Sequence, residues 1–163
     1  MTPRFTKQRS DHCCFPTAVA NTFKWAGIPF SYRKNRDGLK KLMDCDADGA
    51  YSEPAELGFR CLNSAFGEPL KITRLRNPTL KQMEEHLRKG GVVLLGTQYS
   101  PTEAHAHLVE SIARNTFRVI NGINTWNSNK KTIRYLPRSK MKKLLRMRPS
   151  TGWFVEKRVH YSL

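Results

Sequence analysis

Cys14, His107 and Asn121 are the residues whose types and placement could do chemistry together. Phe15, Val19, Phe23 and Ala26 follow Cys14 at spacings of four, four and three, which is one face of a helix. Pro16 is tolerated only in a first turn and Gly27 suits a C-terminal stop, so the helix should begin near Cys14. A thiol there sits beside unpaired backbone N–H groups and the positive end of the helix dipole, and both favour the thiolate, which is the nucleophile. The competing reading is a small buried apolar residue, and helix position alone favours that one. His107 opens the apolar run Leu108–Ile112, where a rigidly held imidazole could exchange a proton with a thiol. His105 lies two residues earlier, on the same strand face if the strand extends back; either ring could instead be purely structural. Asn121 closes the next run, Phe117–Ile120. A hairpin turning near Asn115 would set it beside the start of the His107 strand, as the group that fixes the imidazole tautomer. Asn124 is the neighbouring alternative.

The elements that must position these groups are legible in the apolar pattern. Further helices are expected over Asp37 to Cys45, over Glu53 to Ala65 with Ser52 as N-cap, and over Thr79 to Lys89. In the second of these Leu57 and Cys61, with Leu62, are expected to face the core. Thr79 and Gln82 have capping-box spacing, and Gly90-Gly91 ends that helix. Leu70 to Leu75 alternates weakly, as a strand would. Strands are expected at Val92–Leu95, His107–Ala113, Phe117–Ile120, Thr132–Leu136 and Trp153–Tyr161, with a basic helix from Ser139 to Met147. Helices first and a mostly antiparallel sheet afterwards make the chain α+β.

At 163 residues, 39% hydrophobic and 26% charged, the chain should be one globular domain, 1–163, with a helical part over about 8–90 and a sheet part over about 91–163. No apolar run approaches the roughly 18 residues that cross a membrane. Met1–Phe5 offers no signal-peptide core, so synthesis in the cytoplasm is expected, and a viral or phage protein acting in its host's cytoplasm would look the same. Cys13, Cys14, Cys45 and Cys61 form neither a disulfide framework nor a zinc pattern. Asp44–Gly49 matches the first half of a calcium loop, but its twelfth position is Ala55, with Glu53 and Glu56 out of register, so it reads as a polar turn. No metal or cofactor is expected. The net charge is +16, and Lys130 to Arg148 holds nine Lys/Arg and no acid. Such a run suits an anionic surface or nucleic acid, although a solvated basic face is the commoner explanation.

Gln8, five residues, Cys14 and an aromatic resembles the papain-like cysteine peptidases. Cys14-Phe15-Pro16-Thr17-Ala18 is more similar still to the small bacterial and phage branch related to bacteriocin-leader (double-glycine) peptidases, which carry Cys-Gly-Pro at this point. Asp48–Pro54, Lys89–Val93, the His107 strand and Val119-Ile120-Asn121 resemble later family segments in the same order, so the likeness runs over about residues 8 to 122. Phe15 stands where the branch has Gly, and Asn121-Gly122 where it has Asp-Pro; Asn is the papain-type orienter. The resemblance implies a papain-like fold and Cys14, His107, Asn121 and Gln8 as the site, with Gln8 donating to the oxyanion. Cys13 could compete as nucleophile but lacks the six-residue offset from Gln8.

The resulting expectation is a cysteine peptidase that cleaves the amide bonds of a peptide or protein through a thioester. A peptidoglycan amidase or endopeptidase using the same Cys-His-Asn chemistry is one alternative. A non-catalytic basic structural or nucleic-acid-binding protein on a peptidase scaffold is the other.

Overall fold

The computed structural model describes residues 4–8, 14–43, 52–98, 104–122, 131–147 and 149–158. Cys13, Cys45, the Asp44–Gly49 turn, Asn124, Lys130 and Arg148 lie outside them.

The elements run α1 (Cys14–Trp25), α2 (Tyr32–Leu42), α3 (Ser52–Ala65), β1 (Leu70–Arg76), α4 (Leu80–Arg88), β2 (Val92–Gln98), β3 (Ala104–Ala113), β4 (Thr116–Ile120), β5 (Ile133–Pro137), α5 (Arg138–Arg146) and β6 (Ser150–Lys157). The strands form one sheet in the order β1-β6-β2-β3-β4-β5, every neighbouring pair antiparallel. The chain is therefore α+β, as its apolar pattern predicts. β1, from the first half of the chain, pairs with the last strand; nothing local encodes that edge.

Side-chain alternation along the strands builds two cores. On one face Val92, Leu94, Ala106, Leu108, Ile120 and Trp153 pack with Phe15, Val19 and Phe23 of α1. On the other, Val93, Leu95, Val109, Val119 and Phe154 pack with Met83 and Leu87 of α4 and Met141, Leu144 and Leu145 of α5. Each fully buried side chain of this size contributes about 1.5–3 kcal/mol. α4 starts on the expected capping box: Gln82 N donates to Thr79 Oγ1 at 3.1 Å and Thr79 N to Gln82 Oε1 at 2.9 Å.

Two expectations are corrected. α2 begins at Tyr32, five residues before Asp37, because the Ser31 side chain caps it by accepting from Lys34 N at 3.4 Å. In α3, Leu57 is 65% exposed and Cys61 is exposed, whereas Ala55 and Phe59 are fully buried and Leu62 packs at the core margin. Gly58 explains the rotation. A Cβ on it would fall 2.7 Å from Met43 Cγ and 2.9 Å from Leu42 O, so the glycine face must press on the end of α2. That turns Phe59 onto Phe23, with ring centroids 6.0 Å apart and planes at 88°.

Candidate active site

α1 opens at Cys14, whose side chain is partly buried at the edge of the α1 core. Pro16 lies in the first turn, where its missing N–H costs no helical bond. That turn carries no acidic residue, so nothing in it offsets the positive end of the helix dipole next to the sulfur.

Gln8 is buried, 1% exposed, and two asparagines fasten its segment. From α1, Asn21 accepts from Thr6 N at 2.8 Å and donates to Thr6 O at 3.0 Å. From the end of β4, Asn121 accepts from Gln8 N at 3.0 Å through Oδ1 and donates to Thr6 O at 2.8 Å through Nδ2. The short run Thr6–Gln8 is thus clamped between a helix and a strand end by side chains that imitate backbone pairing. Asn121 leaves β4 with a left-handed φ of 55°, which asparagine accepts more readily than most residues. Its own N–H donates to Thr132 O at 2.8 Å.

Both histidines fall on β3, which begins at Ala104 rather than at His107. Their rings stack with centroids 5.6 Å apart and planes at 20°. His105 Nε2 lies 2.7 Å from Asn121 O. A carbonyl can only accept, so this nitrogen carries the proton. Burial lowers the pKa of His105, and its hydrogen bonds to the main chain of Asn121 and Gly122 oppose that shift. His107 is 1% exposed and neither ring nitrogen has a hydrogen-bond partner. Burial, then repulsion from His105, pushes its pKa down to about 3. It stands opposite Leu95, between Ala106 and Leu108, which face α1. By alternation its ring points to the opposite core.

The structure therefore joins Gln8 to Asn121, Asn121 to His105, and His105 to His107. No hydrogen bond links His107 to Cys14 or to Asn121. The expected orienting contact from the Asn121 side chain to His107 is absent because both ends of that amide are spent on Thr6 and Gln8; the main-chain oxygen meets a histidine, and it is His105. Sequence reasoning missed Asn21. A fully buried amide among the alanines and valine of α1 is the signal that could have found it. Among the described residues no group of three or more His, Cys, Asp or Glu could hold a metal ion, and no helix is long and apolar enough to cross a membrane.

No protein-family model matches the sequence, and no curated protein matches it. Solved structures do. The peptidase domain of Streptococcus ComA, a bi-functional ABC transporter involved in a quorum-sensing pathway, is similar with a TM-score of 0.69 at 10% identity, over 96% of this chain and 100% of that one. The peptidase domain of Streptococcus mutans ComA is similar with a TM-score of 0.54 at 8% identity, over 95% and 98%. The chain has the papain-like peptidase fold. In this papain-like frame Cys14 begins the helix laid against the sheet, and the two histidines lie on the sheet's fourth strand in spatial order.

Proposed function

We propose that the chain is a cysteine-nucleophile hydrolase acting on peptide amide bonds. The observation that carries this reading is the joint placement of Cys14 at the start of α1 and of Gln8, buried six residues earlier and tied to the end of β4 by Asn121. The Cys14 thiol gives its proton to the imidazole, and the thiolate Sγ attacks the substrate carbonyl carbon. The oxyanion accepts from the Gln8 side-chain amide and the Cys14 N–H, each donor worth about 3–4 kcal/mol in such sites. Collapse of the tetrahedral intermediate forms the thioester and expels the amine, which takes a proton from the imidazolium. Water, deprotonated by the imidazole, then releases the acid and restores the thiol.

The imidazole in this scheme is one of the two stacked histidines of β3, whose ring centroids are 5.6 Å apart. His107 opens the apolar run, and His105 stands one residue from the margin of the β2–β3 pairing, which ends at Gln98 and Ala104; alternation puts both rings on one sheet face. Incubation with a peptide ester and mass spectrometry of the acid-quenched protein tests the proposal. A thioester adduct on wild type, missing in Cys14→Ala, supports it. Loss of the catalytic imidazole should cost about 10²–10⁴ in kcat, so His107→Ala and His105→Ala compared side by side identify which ring serves. Full activity of Cys14→Ala would sink it.

A further inference from the structure

α5 presents a cationic face whose charge the fold does not use. Met141, Leu144 and Leu145 anchor the helix in the core. Positions 139, 142, 143 and 146 then form the outward stripe at i, i+3, i+4 and i+7, occupied by Ser139, Lys142, Lys143 and Arg146, with Lys140 beside them, all exposed. Glu84 of α4 is the acid that reaches α5, and both its oxygens are taken: Arg138 Nε at 2.7 Å and Arg88 at 3.1 Å. Among the described residues no carboxylate pairs with Lys140, Lys142, Lys143 or Arg146.

This arrangement costs the helix stability. Lys140 and Lys143, Lys142 and Arg146, and Lys143 and Arg146 repel at i+3 or i+4. Lys140 occupies the first turn, where the dipole disfavours cations, and Pro137 supplies no side-chain cap. Lys143 and Arg146, in the last turn, suit the dipole, but an alternation of signs along the stripe would have removed the repulsion. A single-sign face kept at that cost fits a polyanionic partner.

We infer that the outer face of α5 binds nucleic acid through its phosphates, without reading sequence. A lipid surface shares the anionic chemistry, but an interfacial helix needs an exposed apolar face. Every apolar residue of α5 is buried in the protein core, so a lipid surface could be met through charge alone, whereas a duplex offers the same side chains closely spaced phosphates. This inference is independent of the thiol chemistry.

Fluorescence anisotropy with a labelled mixed-sequence DNA duplex over a salt series tests it. Four phosphate contacts give a slope of log K against log salt of about −3.6. Neutralising the face (Lys140→Gln, Lys142→Gln, Lys143→Gln, Arg146→Gln) should reduce the slope by about 3.6 and weaken binding at least ~10-fold at low salt. These side chains are exposed and repel one another, so a melting temperature equal to or above that of the wild type checks that the variant is folded. As a control, Lys34→Gln, Lys40→Gln and Lys41→Gln on α2 remove comparable charge elsewhere and should leave most of the slope. Equal losses from both variants would mean that net charge alone drives binding and would overturn the inference. So would binding to phosphatidylserine vesicles without binding to DNA, or no binding to either.

Discussion

Asn121→Asp separates two roles for one side chain. If its oxygen oriented an imidazole, a carboxylate would do the same work and activity would persist. The structure spends the amide on the backbone instead, with Oδ1 taking Gln8 N–H and Nδ2 donating to Thr6 O. The substitution keeps the first bond and sets a second carboxylate oxygen against Thr6 O, at a contact now 2.8 Å long. The loss is one hydrogen bond, about 1 kcal/mol, plus the cost of a carboxylate in a site that is 2% exposed, for a total of about 3 kcal/mol. For a chain of this size that is a fall in Tm of roughly 6–12 °C. The carboxyl pKa in the folded variant should be raised, since only the protonated form can donate to Thr6 O. The penalty should therefore shrink as pH falls and grow as pH rises through the folded pKa. The assay is thermal melting across pH, with amide exchange of residues 6–8 read alongside peptide hydrolysis. Loss of stability and of protection in 6–8, with activity falling as far as in Asn121→Ala, is the expected result. Wild-type melting with retained activity would refute the clamp.

Asn21→Ala should destabilise by about 2 kcal/mol, and with Asn121→Ala should give less than the sum, because both amides hold Thr6; additivity within about 0.5 kcal/mol by urea denaturation would argue against a shared clamp. His107 binds its proton less well folded, at about 3, than unfolded at 6.5, so its contribution is complete above pH 6.5 and lost as pH falls towards 3. His107→Leu should flatten that acid limb in urea titrations at successive pH values while leaving neutral-pH stability nearly unchanged. Gly91→Ala would drive a Cβ into the ring of His86, whose Nε2 lies 3.0 Å from Val92 O and 3.1 Å from Val155 O between β2 and β6. We expect a loss of about 2–3 kcal/mol in thermal melting, more than for an exposed glycine such as Gly38.

Local pattern carried much of the fold. The stripe from Phe15 to Ala26, the Thr79–Gln82 box and the apolar run after Gly91 each encode an element within a few residues, and each is found. What failed was set by partners distant in sequence. The face of α3 follows from Gly58 meeting Leu42 and Met43, and β1 finds β6 across most of the chain. The α2 start was missed because Ser31 caps a helix with little apolar signal ahead of Leu39.

The candidate residues stand out in the sequence, but their contacts do not. The offset of Gln8 from Cys14 and the order of the histidine and asparagine strands stand in the sequence. Which histidine meets Asn121 does not. That depends on Asn121 turning out of β4 with a positive φ, so that its carbonyl reaches His105 while its amide turns to the Thr6–Gln8 run.

The rate of alkylation at each cysteine tests the central claim most directly. Cys61 is exposed and Cys14 only partly so, and accessibility alone therefore ranks Cys61 first. If Cys14 is held as a thiolate by the start of α1, limiting iodoacetamide at neutral pH, followed by peptide mapping, will label Cys14 well before Cys61. Labelling of Cys61 first, or of both at one slow rate, would contradict the account.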